Sequence, residues 1–127
     1  MRFMIMVKST ERAVPLPKAL MDAIGNLGGE AMKAGAMVET GGLLPSAMGA
    51  RIRLAKGNLT VTDGPFTETN ELVGGFAVYN VKSKQEAIEW TSRFMALHKQ
   101  HWPGWEGEAE IRQMFEAPDF LSETGKR

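Results

Sequence analysis

A chain of 127 residues, 43% hydrophobic and 24% charged, fits one globular domain and is long enough to bury a core without disulfides or metals. Lys plus Arg and Asp plus Glu both number 15, so the formal net charge is zero, which argues against nucleic acid and against an anionic membrane as partner. There is no cysteine, which excludes disulfides, thiolate catalysis and Cys-based zinc sites.

Residues 2–8 (RFMIMVK) read as a strand with Phe3, Ile5 and Val7 on one face and Met4 and Met6 on the other. Both faces are apolar, so both are expected to be covered. The run is too short for a secretory leader, and Lys8 interrupts it. No apolar run approaches the ~20 residues of a membrane helix. A cytoplasmic protein is therefore expected.

A helix is predicted from Pro17 to about Gly35, because Leu16, Leu20, Ile24, Leu27 and Ala31 recur at helical steps. Gly25, Gly28 and Gly29 weaken it, each by roughly 1 kcal/mol against Ala. Their expected use is close backbone approach to a neighbour. A second strand follows over 37–44. Segments 50–54 and 59–62 form a hairpin about Lys56-Gly57-Asn58, and another strand spans 73–81. Ser83 with Glu86 makes a capping box for a helix to about Trp102, which stops before Pro103-Gly104. Residues 108–116 alternate as a last strand, and a polar tail follows.

Set the hairpin aside and the order is βαββαβ, a ferredoxin-like α+β fold with an inserted β-hairpin. Both helices then cover one face of the sheet. The other face stays apolar and bare, which predicts a face-to-face homodimer.

The stretch most unlike a core is Asp63-Gly64-Pro65-Phe66-Thr67-Glu68, followed by Gly74-Gly75-Phe76. It places an acid, a bend and an aromatic at the end of a strand. Together with Gly41-Gly42-Leu43-Leu44-Pro45-Ser46, Ser83-Lys84-Gln85-Glu86 and residues 110–116, it resembles the DGPF-motif group of the YCII-related family, within the dimeric α/β-barrel superfamily. The similarity covers roughly residues 1–120 as a single domain, leaving 121–127 as a loosely ordered tail. The resemblance implies a ferredoxin-like subunit and a dimer enclosing pockets, and it implies no reaction. Members of the group often carry Lys where this chain has Asn70.

Asp63 is the candidate catalytic residue: a carboxylate at a strand end can serve as a general base if burial raises its pKa. Equally, Asp before Gly-Pro can fix its own turn, with Gly64 taking an unusual φ and Pro65 locking its own. Gly64, Pro65 and Phe66 are the candidate binding residues. Phe66 would wall a pocket between sheet and dimer mate, or else plug the core under the loop. Glu68 and Glu71 could join Asp63 in an acidic cluster, or stand solvated. His98 shares a helix face with Ala87, Thr91 and Phe94, as an acid/base partner or a hydrogen-bonded structural histidine. No metal-ligand set, phosphate loop, nucleophile elbow or dinucleotide fingerprint is present, so no cofactor or metal is expected. A small-molecule enzyme and a non-catalytic sensor or accessory module both remain open. A closed, buried Asp63 favours the first, and a solvated Asp63 favours the second.

Overall fold

The computed structural model describes residues 1–11, 15–66 and 72–116. The tail and both Glu68 and Glu71 lie outside them. Six strands and two helices follow the predicted order: β1 (Arg2–Ser9), α1 (Lys18–Lys33), β2 (Met37–Gly42), β3 (Ala50–Ala55), β4 (Asn58–Asp63), β5 (Leu72–Asn80), α2 (Lys84–His101) and β6 (Glu108–Gln113). The main sheet runs β2-β5-β1-β6 with every neighbouring pair antiparallel. That is the ferredoxin-like arrangement, with β3 and β4 forming a separate hairpin.

Side-chain alternation assigns the faces of β1. Phe3 and Ile5 are buried, in a core with Ala77, Tyr79 and Ala87. Met4 and Met6 pair across the ladder with Val78 and Phe76 on the helix-free face. Helix α1 starts after Pro17, whose carbonyl accepts from the Met21 N–H, and stops at Gly35, where φ is +74°. Such a φ favours glycine. The Ser83 hydroxyl accepts from the Glu86 N–H at 3.1 Å and opens α2. Arg93 of α2 holds both carboxylate oxygens of Glu30 on α1, at 2.6 and 2.8 Å. This fork-to-fork pair sets the two helices side by side.

Three boundaries differ from expectation. Strand β2 ends at Gly42, because a 3-10 turn over Ser46–Met48 takes up the chain. Strand β6 ends at Gln113. The hairpin turn uses two residues, Lys56 and Gly57, both at positive φ, with Ala55 opposite Asn58. Positive φ at both central positions matches the right-handed twist of the flanking strands.

In β5, Gly75 pairs with Val7 while Val73 pairs with Lys8, so Gly74 is the extra residue of a bulge. The hairpin presents an apolar stripe of Ile52, Leu54, Leu59 and Val61, each 66–71% exposed. Among the described residues no helix is long and apolar enough to cross a membrane.

Candidate functional site

Two adjoining cavities lie at the β2 and β5 end of the fold. The inner one, about 450 Å³, sits between the helix layer and the sheet. Ile24, Leu27 and Gly28 of α1 and Thr91 and Phe94 of α2 face Ile5, Val7, Ala77 and Tyr79 of the sheet across it. The expected pocket between sheet and dimer mate is a separate space, and this cavity opens on the helix side of the sheet. The reason is missing side-chain volume. Gly28, Gly41, Gly42, Gly74 and Gly75 all line the cavity. A Cβ added to Gly28 or Gly42 would meet nothing within 4 Å. The α1 glycines were read as points of close approach. Instead, added Cβ atoms at Gly25, Gly28 and Gly29 all reach open space.

No charged side chain lines the inner cavity among the described residues. Its polar groups are few. The Thr40 hydroxyl already donates to the Phe76 carbonyl at 2.9 Å. Thr91 is 6% exposed, and its hydroxyl oxygen has no hydrogen-bond partner among the described residues. Tyr79 is buried, and desolvation raises its phenol above the usual value of 10.0, against a smaller opposing effect of the Arg93 charge. It therefore stays neutral, since burial disfavours the phenolate.

The outer cavity shares Val7, Leu16, Gly42, Leu43 and Gly74 with the inner one. Its rim carries Leu44 and Met48, 73% and 71% exposed, with Trp102 and Trp105. Phe66 lines it, as do Glu11, Ser46 and Arg51. These four are joined. The Ser46 N–H donates to the Glu11 carboxylate at 2.9 and 3.1 Å, and the Phe66 N–H donates to the Ser46 hydroxyl at 3.1 Å. The Arg51 guanidinium lies 3.9 Å from the centre of the Phe66 ring. Hydrogen bonds from the Ser46 hydroxyl, and then from its N–H, hold Glu11 below the usual carboxylate value of 4.5.

Gly64 and Pro65 set the path of the chain into this network. The Gly64 N–H donates to the Gly49 carbonyl at 2.9 Å, and the Gly64–Pro65 bond is cis. Gly64 was expected to need an unusual φ, but its φ lies outside the left-handed region. What demands glycine is space, because a Cβ there would overlap the Ser46 carbonyl oxygen. Asp63 closes β4 opposite Ala50 and is exposed. It is not among the side chains lining the two cavities.

His98 is 5% exposed and lines neither cavity. Its Nδ1 lies 3.1 Å from the Phe94 carbonyl, and since a carbonyl only accepts, Nδ1 carries the proton. The imidazole packs between Phe94 and Trp105, at ring-centre distances of 4.7 and 4.4 Å. Burial lowers its pKa from 6.5, and the bond to Phe94 partly opposes this. His98 therefore backs one aromatic of the inner cavity and one of the outer. Among the described residues no group of three or more His, Asp or Glu is placed to hold a metal ion.

Sequence reasoning missed Glu11, Ser46, Trp105 and Thr91. For Ser46 a signal existed, since it ends the quoted Gly-Gly-Leu-Leu-Pro-Ser segment. Thr91 carried one too, being a hydroxyl on an otherwise apolar helix face.

Residues 1–101 match the family model described as the YCII-related domain. None of the curated proteins matches the chain significantly.

Proposed function

For this chain, which belongs to the YCII-related family, we propose a small-molecule-binding role. A largely apolar ligand occupies the inner cavity, and the 63–66 segment shapes its mouth. One observation carries the reading: a space of about 450 Å³ between helix layer and sheet, with glycines in its wall and no charged side chain among its described lining residues. That volume falls in the range of small-molecule sites. The exposed Leu44 and Met48 at the rim fit the same reading, because clustered exposed apolar side chains mark interaction surfaces.

The test is a titration with phenylnaphthylamine, an uncharged dye that brightens in apolar surroundings. The wild type should enhance its emission, and Gly28→Leu, which drives an isobutyl group into the cavity, should abolish the enhancement. Absence of enhancement in the wild type, or equal enhancement in the variant, refutes the reading.

An enzyme using Asp63 for proton transfer is the second form of this role. Its support is a carboxylate held at a strand end by a fixed turn. The exposure of Asp63 weighs toward the non-catalytic form, since a carboxylate base is tuned by burial. Asp63→Asn keeps ligand binding under both readings and abolishes turnover only under the enzymatic one.

A second copy of the chain is the proposed partner, seated on the helix-free face. Met4, Met6, Phe76 and Val78 make that face apolar, and the hairpin stripe offers it further area. Sedimentation at micromolar concentration should give twice the 13.9 kDa of one chain. A monomer would rule the dimer out.

A further inference from the structure

Resting on the reading that the inner cavity holds a ligand, we infer the chemical class of that ligand: a neutral, ring-sized apolar molecule with one hydroxyl or carbonyl group, hydrogen-bonded by Thr91. Three features of the walls converge on this class. The described lining carries no charge, so an ionic group entering it would lose its hydration without a counter-charge. Tyr79 and Phe94 line the space from the sheet and from α2, and aromatic walls suit a ring. Thr91 is a hydroxyl where valine would fill the same volume.

The state of that hydroxyl is the decisive point. Thr91 lines the cavity from α2, it is 6% exposed, and its Oγ1 has no hydrogen-bond partner among the described residues. A helical threonine usually bonds a carbonyl one turn back, and a buried hydroxyl left unpaired is costly. The other threonine in the lining, Thr40, already has its partner. Helical threonines occupy two χ1 wells, so rotation about one bond exchanges methyl and hydroxyl on the cavity wall. A ligand oxygen there would supply the missing bond. Thr91 lines the inner cavity and not the outer, so the ligand's polar group lies innermost and its apolar body faces the mouth.

The experiment is equilibrium dialysis of the full chain with three probes of one ring system: naphthalene, naphthol and naphthoate. The quantity read is the ratio of naphthol to naphthalene affinity. Thr91→Val should lower that ratio about tenfold, the effect of one buried hydrogen bond. Thr91→Ser, which keeps the hydroxyl, should retain most of the ratio. Naphthoate, ionised at neutral pH, should not bind. An unchanged ratio in Thr91→Val, or naphthoate binding more tightly than naphthol, overturns the inference and leaves the binding role standing. Failure of all three probes to bind the wild type removes the binding role and the inference together.

Discussion

Replacing Gly28 by alanine tests whether the cavity is a designed space or a packing error. Glycine in a helix interior costs about 1 kcal/mol relative to alanine, because its unfolded backbone is freer and its helical backbone less shielded. At Gly28 an added Cβ meets no heavy atom within 4 Å, so no overpacking offsets that gain. The methyl group would project into the inner cavity. The expected result is therefore a more stable protein, by about 0.5–1 kcal/mol, with a smaller pocket. For a domain of this size the midpoint of thermal unfolding should rise by roughly 2–4 °C.

Gly25→Ala and Gly29→Ala are the matched comparisons. Both sites are exposed on α1, and both added Cβ atoms reach open space. They should stabilise by a similar amount without touching the pocket. Urea unfolding of the three variants, with phenylnaphthylamine binding measured in parallel, separates the effects. If Gly28→Ala lowers the midpoint while the other two raise it, α1 packs directly on the sheet at Gly28 and the cavity argument fails.

Four further outcomes follow from named contacts. Ser83→Ala removes the acceptor for the Glu86 N–H and should cost about 1 kcal/mol in urea unfolding; an unchanged midpoint would mean that α2 does not depend on this cap. Gly64→Ala forces a methyl onto the Ser46 carbonyl and should cost roughly 1–3 kcal/mol, with Ala at exposed Gly57 as a comparison for backbone strain alone. His98 has a folded pKa below 6.5, so the unfolded chain binds more protons there. Its contribution is full above pH 6.5 and is lost as pH falls through the folded value. His98→Gln should flatten the pH dependence of the urea midpoint just below pH 6.5, and an unchanged slope would refute the assignment. Glu11, Glu30 and Glu110 are likewise lowered from 4.5, by hydrogen bonds from Ser46, Arg93 and Lys8 respectively. A second loss of stability should therefore set in as pH falls toward 4.5 and continue below it, and a flat midpoint across that range would refute the assignment.

The fold was legible because its signals are local and mutually consistent. Alternation in 2–8 specifies a strand, the Leu20 to Ala31 steps specify a helix face, and Ser83 with Glu86 marks where α2 begins. Even the facing of His98 followed from the helical period, and its bond to Phe94 is the structural alternative weighed for it. The cavity was not legible, because it consists of atoms that are absent. A glycine in α1 reads as a weakened helix, and glycines in β2 and β5 carry no local sign of a cavity. Only the stacking of helix layer on sheet brings five of them to the wall of one cavity. The network at the mouth escaped for a related reason. Glu11 and Ser46 are 35 positions apart, and Ser46 and Phe66 are 20 apart, so no window of the sequence joins them.

The Asp-Gly-Pro-Phe segment itself takes on a different meaning in three dimensions. Read linearly, the acid is the conspicuous residue, and glycine and proline exist to aim it. In the fold, Asp63 is exposed at the end of the hairpin, whereas Gly64 is fixed by the Ser46 carbonyl and Phe66 by the Ser46 hydroxyl. The turn delivers the aromatic ring, beneath Arg51, to the wall of the outer cavity. Glu11 completes the support from a different part of the chain. Phe66 rather than Asp63 thus borders the outer cavity. Because the ring lines a cavity and the carboxylate does not, Phe66→Ala and Asp63→Asn are separable in experiment: the first should weaken phenylnaphthylamine binding and the second should leave it unchanged.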